Sequence, residues 1–149
     1  MNKKRMTQLI KLADEVLVSS GIKKQDSNSI KDSYNSQTAA LGIAVLMSGL
    51  VPALVIYYQD ANEKCEIKRR TILKAIGQMI GRDSKATTMI ANQPMNKTIH
   101  DADTLLKTAI RCADDKTLLK QLSREVVECA TALKQIIRTH KLVQSCQEI

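Results

Sequence analysis

The chain has 149 residues, a formal net charge of +8 and an aromatic content of 2%, with no Phe or Trp. This is the length of one domain, so we expect residues 1–149 to form a single domain around one core. The scarcity of aromatic side chains argues against folds that bind nucleic acid by stacking bases on aromatic rings.

Helical spacing of the apolar residues dominates the sequence, which predicts an all-α bundle of about six helices and no notable strand. The stripe in residues 6–17 predicts a first helix that Gly21 ends. Charged residues interrupt this segment, so it lacks the apolar core of a secretion signal and we expect a cytoplasmic protein. Ser29 and Asp32 resemble a capping box and predict the start of the second helix.

Residues 39–58 form an uncharged, mostly apolar segment of 20 residues, the length of a membrane-spanning helix. Within it, Gly49 suits the end of one helix, and Pro52 suits the first turn of the next. Two helices joined by the turn SGLVP are each too short to cross a bilayer. We therefore favour a central apolar hairpin that forms the core of the bundle, and we expect no membrane partner.

Further helices follow this hairpin. The spacing predicts a helix from about residue 65 to residue 80, then an irregular segment, 82–97, that holds at most a short helix before Pro94. Thr98 with Asp101 resembles a second capping box. Asp114 or Asp115 suits the cap of a long last helix, whose repeat of seven residues places His140 in the core seam.

No arrangement typical of an enzyme or of a metal site occurs in the sequence. The four cysteines, Cys65, Cys112, Cys129 and Cys146, are widely spaced, and we expect them to be reduced and mostly buried. Neither histidine has a second potential ligand at short spacing. We therefore expect no catalytic residues, no metal, no cofactor and no small-molecule substrate.

Positive charge is concentrated between residues 64 and 85, where seven basic residues and two acidic residues give a local charge of +5. A basic stripe of this density is typical of a surface that contacts nucleic-acid backbone. A solvated helix face and a docking surface for an acidic protein are alternatives that the residues leave open. The candidate RNA-binding residues are Lys64, Lys68, Arg69, Arg70, Lys74, Arg82 and Lys85.

Residues 34–60, YNSQTAALGIAVLMSGLVPALVIYYQD, carry a resemblance to a known family. A tyrosine, a run of small residues, an apolar helix, SGL and a second apolar helix resemble the signature of the small helical subunit of the type III-B CRISPR (Cmr) RNA-guided effector complex. Tyr57 and Tyr58 stand where this family often carries Phe.

The resemblance implies a non-catalytic helical bundle that stacks in several copies and lines the path of the guide RNA–target RNA duplex with basic surface. It also implies contacts with other subunits of the complex. The family has no short binding motif, so the candidate residues above come from the helical wheel alone. A helical DNA-binding regulator, or an interaction bundle with an acidic or membrane partner, is the alternative.

Overall fold

The computed structural model describes residues 3–59, 68–86, 88–90 and 92–144. The described residues form seven helices and four very short strands. The helices are α1 (Lys3–Ser20), α2 (Asp32–Ser48), α3 (Leu50–Tyr58), α4 (Arg69–Arg82), α5 (Met95–Thr98), α6 (Ala102–Arg111) and α7 (Lys116–Ile137). The strands are β1 (Ser29–Lys31), β2 (Met89–Ile90), β3 (Gln93–Pro94) and β4 (Lys141–Val143).

The predicted all-α class is confirmed, because helices dominate and each described strand has only two or three residues. Six of the seven described helices have nine residues or more, and α5 is a single turn of four. The longest, α7, packs against both α1 and α2, while α4 packs against α1 and α6. One cluster of buried apolar side chains joins all of these helices; it includes Leu9, Leu54, Ile76 and Val126.

The turn predicted within the apolar segment is confirmed. Helix α2 ends at Ser48, and Gly49 follows with a φ of +93°, a backbone conformation that glycine adopts without a steric penalty. Pro52 lies in the first turn of α3, where a missing N–H costs no hydrogen bond. None of the helices in the described ranges is both long and apolar enough to cross a bilayer.

The α2–α3 hairpin is only half buried, although the sequence predicted it as the centre of the core. Leu41 and Leu54 are fully buried, whereas Leu46 and Met47 are 76% and 81% exposed. The reason is that apolar residues occur on all sides of α2, while neighbouring elements cover only one side. An apolar face of the hairpin is therefore left on the surface of this chain.

The predicted start of the second helix was wrong. Ser29 belongs to strand β1, which pairs in parallel with β4 in the register Ser29 to Lys141. Helix α2 begins at Asp32, and the side chain of Lys31, at the N-cap position, makes no capping hydrogen bond. Pairing with the far end of the chain holds Ser29 in extended backbone, so it cannot act as a helix cap.

The second predicted capping box was displaced by three residues. Asp101 is the cap of α6, not the third residue of a helix that begins near Thr98. The backbone N–H of Thr104 donates to Asp101 Oδ1 at 2.8 Å, and Thr104 Oγ1 accepts from the Asp101 N–H at 3.0 Å. At the start of α7, Asp115 is the cap, because the N–H groups of Thr117 and Leu118 donate to its side chain.

Two short strands, β2 and β3, and the helical turn α5 lie where the sequence predicted irregular structure. Strands β2 and β3 pair antiparallel, and α5 begins directly after Pro94. The short helix therefore follows Pro94 and does not precede it. Proline suits this boundary because its fixed φ is compatible with the residue that leads into a helix.

His140 was predicted in the seam of the last helix, and this was wrong. Helix α7 ends at Ile137, and His140 is half-buried in the connection to β4. Its Nε2 atom lies 3.4 Å from Lys23 Nζ, beside the loop that follows α1. Strand β4 pairs in parallel with β1, so the chain is extended from Lys141 and the helix ends before the seven-residue repeat reaches His140.

A buried ionic contact holds three helices together at one end of the bundle. Arg5 of α1 forms ion pairs with Glu125 of α7, at 2.8 Å, and with Asp83, which caps the end of α4. The Asp83 side chain is only 4% exposed. Because an unpaired charge at such a depth is costly, this contact fixes where α4 ends relative to α1 and α7.

Helices α4 and α6 approach closely because of two glycines in α4. A Cβ atom at Gly77 would overlap the backbone carbonyl of Asp101, and one at Gly81 would lie 2.8 Å from the carbonyl oxygen of Ile99. This approach brings Asp101 and the start of α6 against the same side of the bundle as the basic first turns of α4.

Candidate nucleic-acid interface

The basic residues at the start of α4 are positioned by the buried side of the same helix. Ile72, Leu73 and Ile76 are fully buried, so they fix the rotation of α4 about its axis. Lys68 is the residue that precedes α4, and Lys74 lies on its exposed side. Helix α4 begins at Arg69; residues 65–67, where the sequence predicted its start, lie outside the described residues.

Arg70 is held against Tyr58, the last residue of α3. Its guanidinium carbon lies 4.1 Å from the centre of the Tyr58 ring, and its Nε–H donates to the Tyr58 carbonyl oxygen at 2.7 Å. Both contacts use the cation without neutralising it, because a ring face and a carbonyl carry no net charge. Arg70 is therefore oriented by Tyr58.

Arg69, which precedes Arg70 in α4, makes a similar contact with Tyr57, which precedes Tyr58 in α3. Its guanidinium carbon lies 5.2 Å from the centre of the Tyr57 ring, and Tyr57 is buried. Burial raises the pKa of the Tyr57 hydroxyl, and the nearby charge of Arg69 partly offsets this rise. Arg69 is half-buried in this packing, so it is less available to a ligand than Lys68 or Lys74.

Three of the predicted site residues converge on one recess of about 350 Å³ at the start of α4. The side chains of Lys68, Arg70 and Lys74 line it, together with Tyr58 and Ser20. The side-chain ammonium groups of Lys68 and Lys74 have no ion-pair or hydrogen-bond partner within the described part of the chain. The recess therefore combines two solvent-facing lysines with the positive end of a helix dipole.

Two carboxylates at the start of α6, Asp101 and Asp103, also line the recess. Asp103 accepts a hydrogen bond from the Tyr58 hydroxyl at 3.3 Å and forms an ion pair with Lys107 at 3.0 Å. Burial acts to raise the pKa of Asp101, but hydrogen bonds from Thr104 outweigh it and the pKa lies below the ordinary value. Both carboxylates are thus engaged locally, whereas the ammonium groups of Lys68 and Lys74 are unpaired among the described residues.

The other predicted site residues do not join this recess. Arg82 is the last residue of α4, which is about 20 Å long at 1.5 Å per residue. It lines a separate recess with Lys11 and Glu15. Lys85 is exposed in the turn beyond it. Lys64 lies outside the described residues. The structure thus divides the predicted site into two groups, one at each end of α4.

Sequence reasoning missed the two tyrosines that orient the arginines. The signal was present, because Tyr57 and Tyr58 end one helix, and Arg69 and Arg70 begin the next, in the same order. Each arginine follows its tyrosine by 12 residues, so two adjacent aromatic rings can contact two adjacent arginines in the same order.

Comparison with known proteins identifies the family. A family model described as CRISPR-associated protein (Cas_Cmr5) matches residues 2–139. The chain belongs to the Cas_Cmr5 family. No curated protein and no solved structure gives a significant match to the chain.

Membership of the Cas_Cmr5 family confirms the resemblance seen in residues 34–60 and extends it over nearly the whole sequence. The family consists of small, non-catalytic subunits of the Cmr effector complex of type III-B CRISPR systems. Other subunits of that complex are therefore the partners that the family implies.

Proposed function

We propose that this Cas_Cmr5 chain is a non-catalytic, cytoplasmic subunit that binds RNA backbone along the guide–target path of its effector complex. The observation that carries the proposal is the convergence of Lys68, Arg70 and Lys74 on one recess. Lysine ammonium groups bind phosphate oxygens without regard to base identity, so the contacts fix position along the RNA and do not read its sequence.

We assign the two exposed lysines to phosphate contacts and Arg70 to a supporting role. Tyr58 holds Arg70 in place, so Arg70 forms a fixed part of the recess wall beside the two lysines. Phosphates approach from the lysine side, away from Asp101 and Asp103. The RNA is the guide–target duplex or the target strand, and further copies of the chain line up along it.

The experiment compares two double charge reversals with the same change in net charge. One variant carries Lys68→Glu and Lys74→Glu; the matched control carries Arg82→Glu and Lys85→Glu at the far end of α4. RNA affinity is measured at several salt concentrations, for two unrelated sequences, with the isolated chain and the assembled complex. The complex is included because repeated copies add avidity that a single chain lacks.

The first variant should weaken RNA binding about equally for both sequences. It should also flatten the salt dependence by roughly one unit for each phosphate that the variant no longer binds. A larger fall in affinity in the control variant would show that the RNA interface lies at the far end of α4, near Arg82. If both variants fold and bind RNA like the parent chain, α4 is a solvated face and the proposal is wrong.

A further inference from the structure

The α2–α3 hairpin carries the most apolar exposed surface of the described residues. Ile43, Leu46 and Met47 are 63%, 76% and 81% exposed, and their spacing places them on one face of α2. No charged residue occurs between Ser33 and Gln59. Contiguous apolar surface of this kind marks an interaction site more often than it marks free surface.

A groove of about 370 Å³ runs beside this face, between α2 and α7. Val45 and Val127 provide its apolar lining, and Leu46 forms its α2 rim. On the α7 rim, Lys120 and Arg124 are exposed and lie one helical turn apart, and Glu128 follows one turn later, so the rim carries a net charge of +1. Neither cation has an ion-pair or hydrogen-bond partner among the described residues.

We propose that this groove binds an amphipathic α-helix of a partner subunit, with its apolar side on Leu46 and Val127 and acidic side chains on Lys120 and Arg124. Helices commonly bind in apolar grooves through anchors one turn apart. Charged rims select the orientation and the partner through complementary charge. The inference uses family membership but does not depend on RNA binding by α4.

Other occupants fit the groove less well. A second copy, symmetric or stacked head to tail, brings a chain of net charge +8 to this rim, and a symmetric contact also places Lys120 and Arg124 of both chains in one interface. RNA would satisfy the two cations, but it would leave Leu46 and Met47 without an apolar partner. An acidic, apolar-faced helix satisfies both halves of the surface.

The test is photo-cross-linking within the assembled effector complex. A photoreactive phenylalanine analogue, p-benzoylphenylalanine, replaces Leu46 in one variant. In the control variant it replaces Ile110, which is 52% exposed on α6. Cross-linked peptides are identified by mass spectrometry. Position 46 should cross-link to a helical segment of another subunit that carries Asp or Glu beside apolar residues, and position 110 should not.

Charge reversal supplies the second arm. Lys120→Glu with Arg124→Glu should reduce the cross-linking yield from position 46 at least fivefold. Lys11→Glu with Lys24→Glu, a change of equal charge elsewhere, should leave the yield unchanged. Helical circular dichroism confirms that each variant is folded before assembly.

Each alternative result overturns the inference. Cross-links from position 46 to a second copy of this chain or to RNA identify another occupant. Absence of cross-links shows that the groove is free in the complex. If the cross-linking yield from position 46 is unchanged by the reversal of Lys120 and Arg124, acidic residues do not recognise this rim. None of these results depends on whether the α4 lysines bind RNA.

Discussion

Arg70 donates its Nε–H to the carbonyl oxygen of Tyr58 and lies over the ring of the same residue, with 4.1 Å between the guanidinium carbon and the ring centre. One side chain thereby holds the last residue of α3 against the first turn of α4. The contact also orients a cation at the recess that Lys68 and Lys74 line. Packing and charge placement thus depend on the same pair.

This relationship predicts energetic coupling between the two side chains. In a double-mutant cycle of Tyr58→Leu and Arg70→Met, chemical denaturation should give a coupling energy of about 0.5–2 kcal/mol. The hydrogen bond from Arg70 to the backbone carbonyl of residue 58 survives any substitution there, so the cycle measures the ring contact alone. Tyr58→Phe keeps the ring and should therefore retain the coupling to Arg70. A cycle of Tyr58→Leu with Lys74→Met should show none. Equal coupling in the two cycles would contradict the ring contact.

The half-buried hairpin predicts that substitution by Asp costs much more unfolding free energy on its buried side than on its exposed side. Leu54 is fully buried, so Leu54→Asp should cost about 3–5 kcal/mol of unfolding free energy, because it places an unpaired charge in the core. Met47 is 81% exposed, so Met47→Asp should cost no more than about 1 kcal/mol, chiefly from a negative charge near the C-terminal end of α2. Similar destabilisation in both variants would show that the isolated chain buries both sides of the hairpin.

The cap of α6 predicts a dependence of stability on acid pH. Because the pKa of Asp101 lies below its ordinary value of 3.8, its contribution is complete above pH 3.8 and is lost as the pH falls through the folded-state pKa. Asp101→Ala should therefore cost about 1 kcal/mol near pH 6, and less as the solution is acidified.

The control for this prediction is Asp101→Asn, which keeps a capping oxygen but does not titrate. It should retain most of the parent stability near pH 6 and lack the contribution of Asp101 to the acid-dependent destabilisation. Denaturation curves from pH 6 to pH 2 measure both variants. A constant difference between the parent chain and Asp101→Ala over this range would contradict the role of the ionised carboxylate.

The buried contact of Arg5 predicts a large destabilisation when the cation alone is removed. Arg5→Met leaves Asp83, whose side chain is 4% exposed, without its charge partner and should cost about 3–5 kcal/mol. Adding Asp83→Asn should restore part of that stability, because it removes one of the two carboxylate charges that lose Arg5, the other being Glu125. Lys107→Met breaks an exposed ion pair with Asp103 and should change thermal stability little. Thermal unfolding of the four chains separates these cases.

Local chemistry made several features of this protein predictable from sequence. The break after Ser48 was predictable because Gly49 tolerates a positive φ and Pro52 fits a first helical turn. The order of the longer helices followed from apolar spacing, which is a property of each helix by itself. The family resemblance in residues 34–60 used the same local pattern and was confirmed by the match to residues 2–139.

Tertiary structure decided the features that depend on residues far apart in the chain. Ser29 is held in a strand by its pairing with Lys141, and this outcome is not visible in the spacing of one segment. The basic stripe of residues 64–85 was visible in the sequence. The division of this stripe into a group near Lys68 and a group near Arg82 was not visible. The length of α4 separates the two groups, and Tyr58 and Asp101, which line the recess beside Lys68, belong to other parts of the chain. A sequence determines which charges a helix carries, whereas only packing against its neighbours determines which of them share a surface.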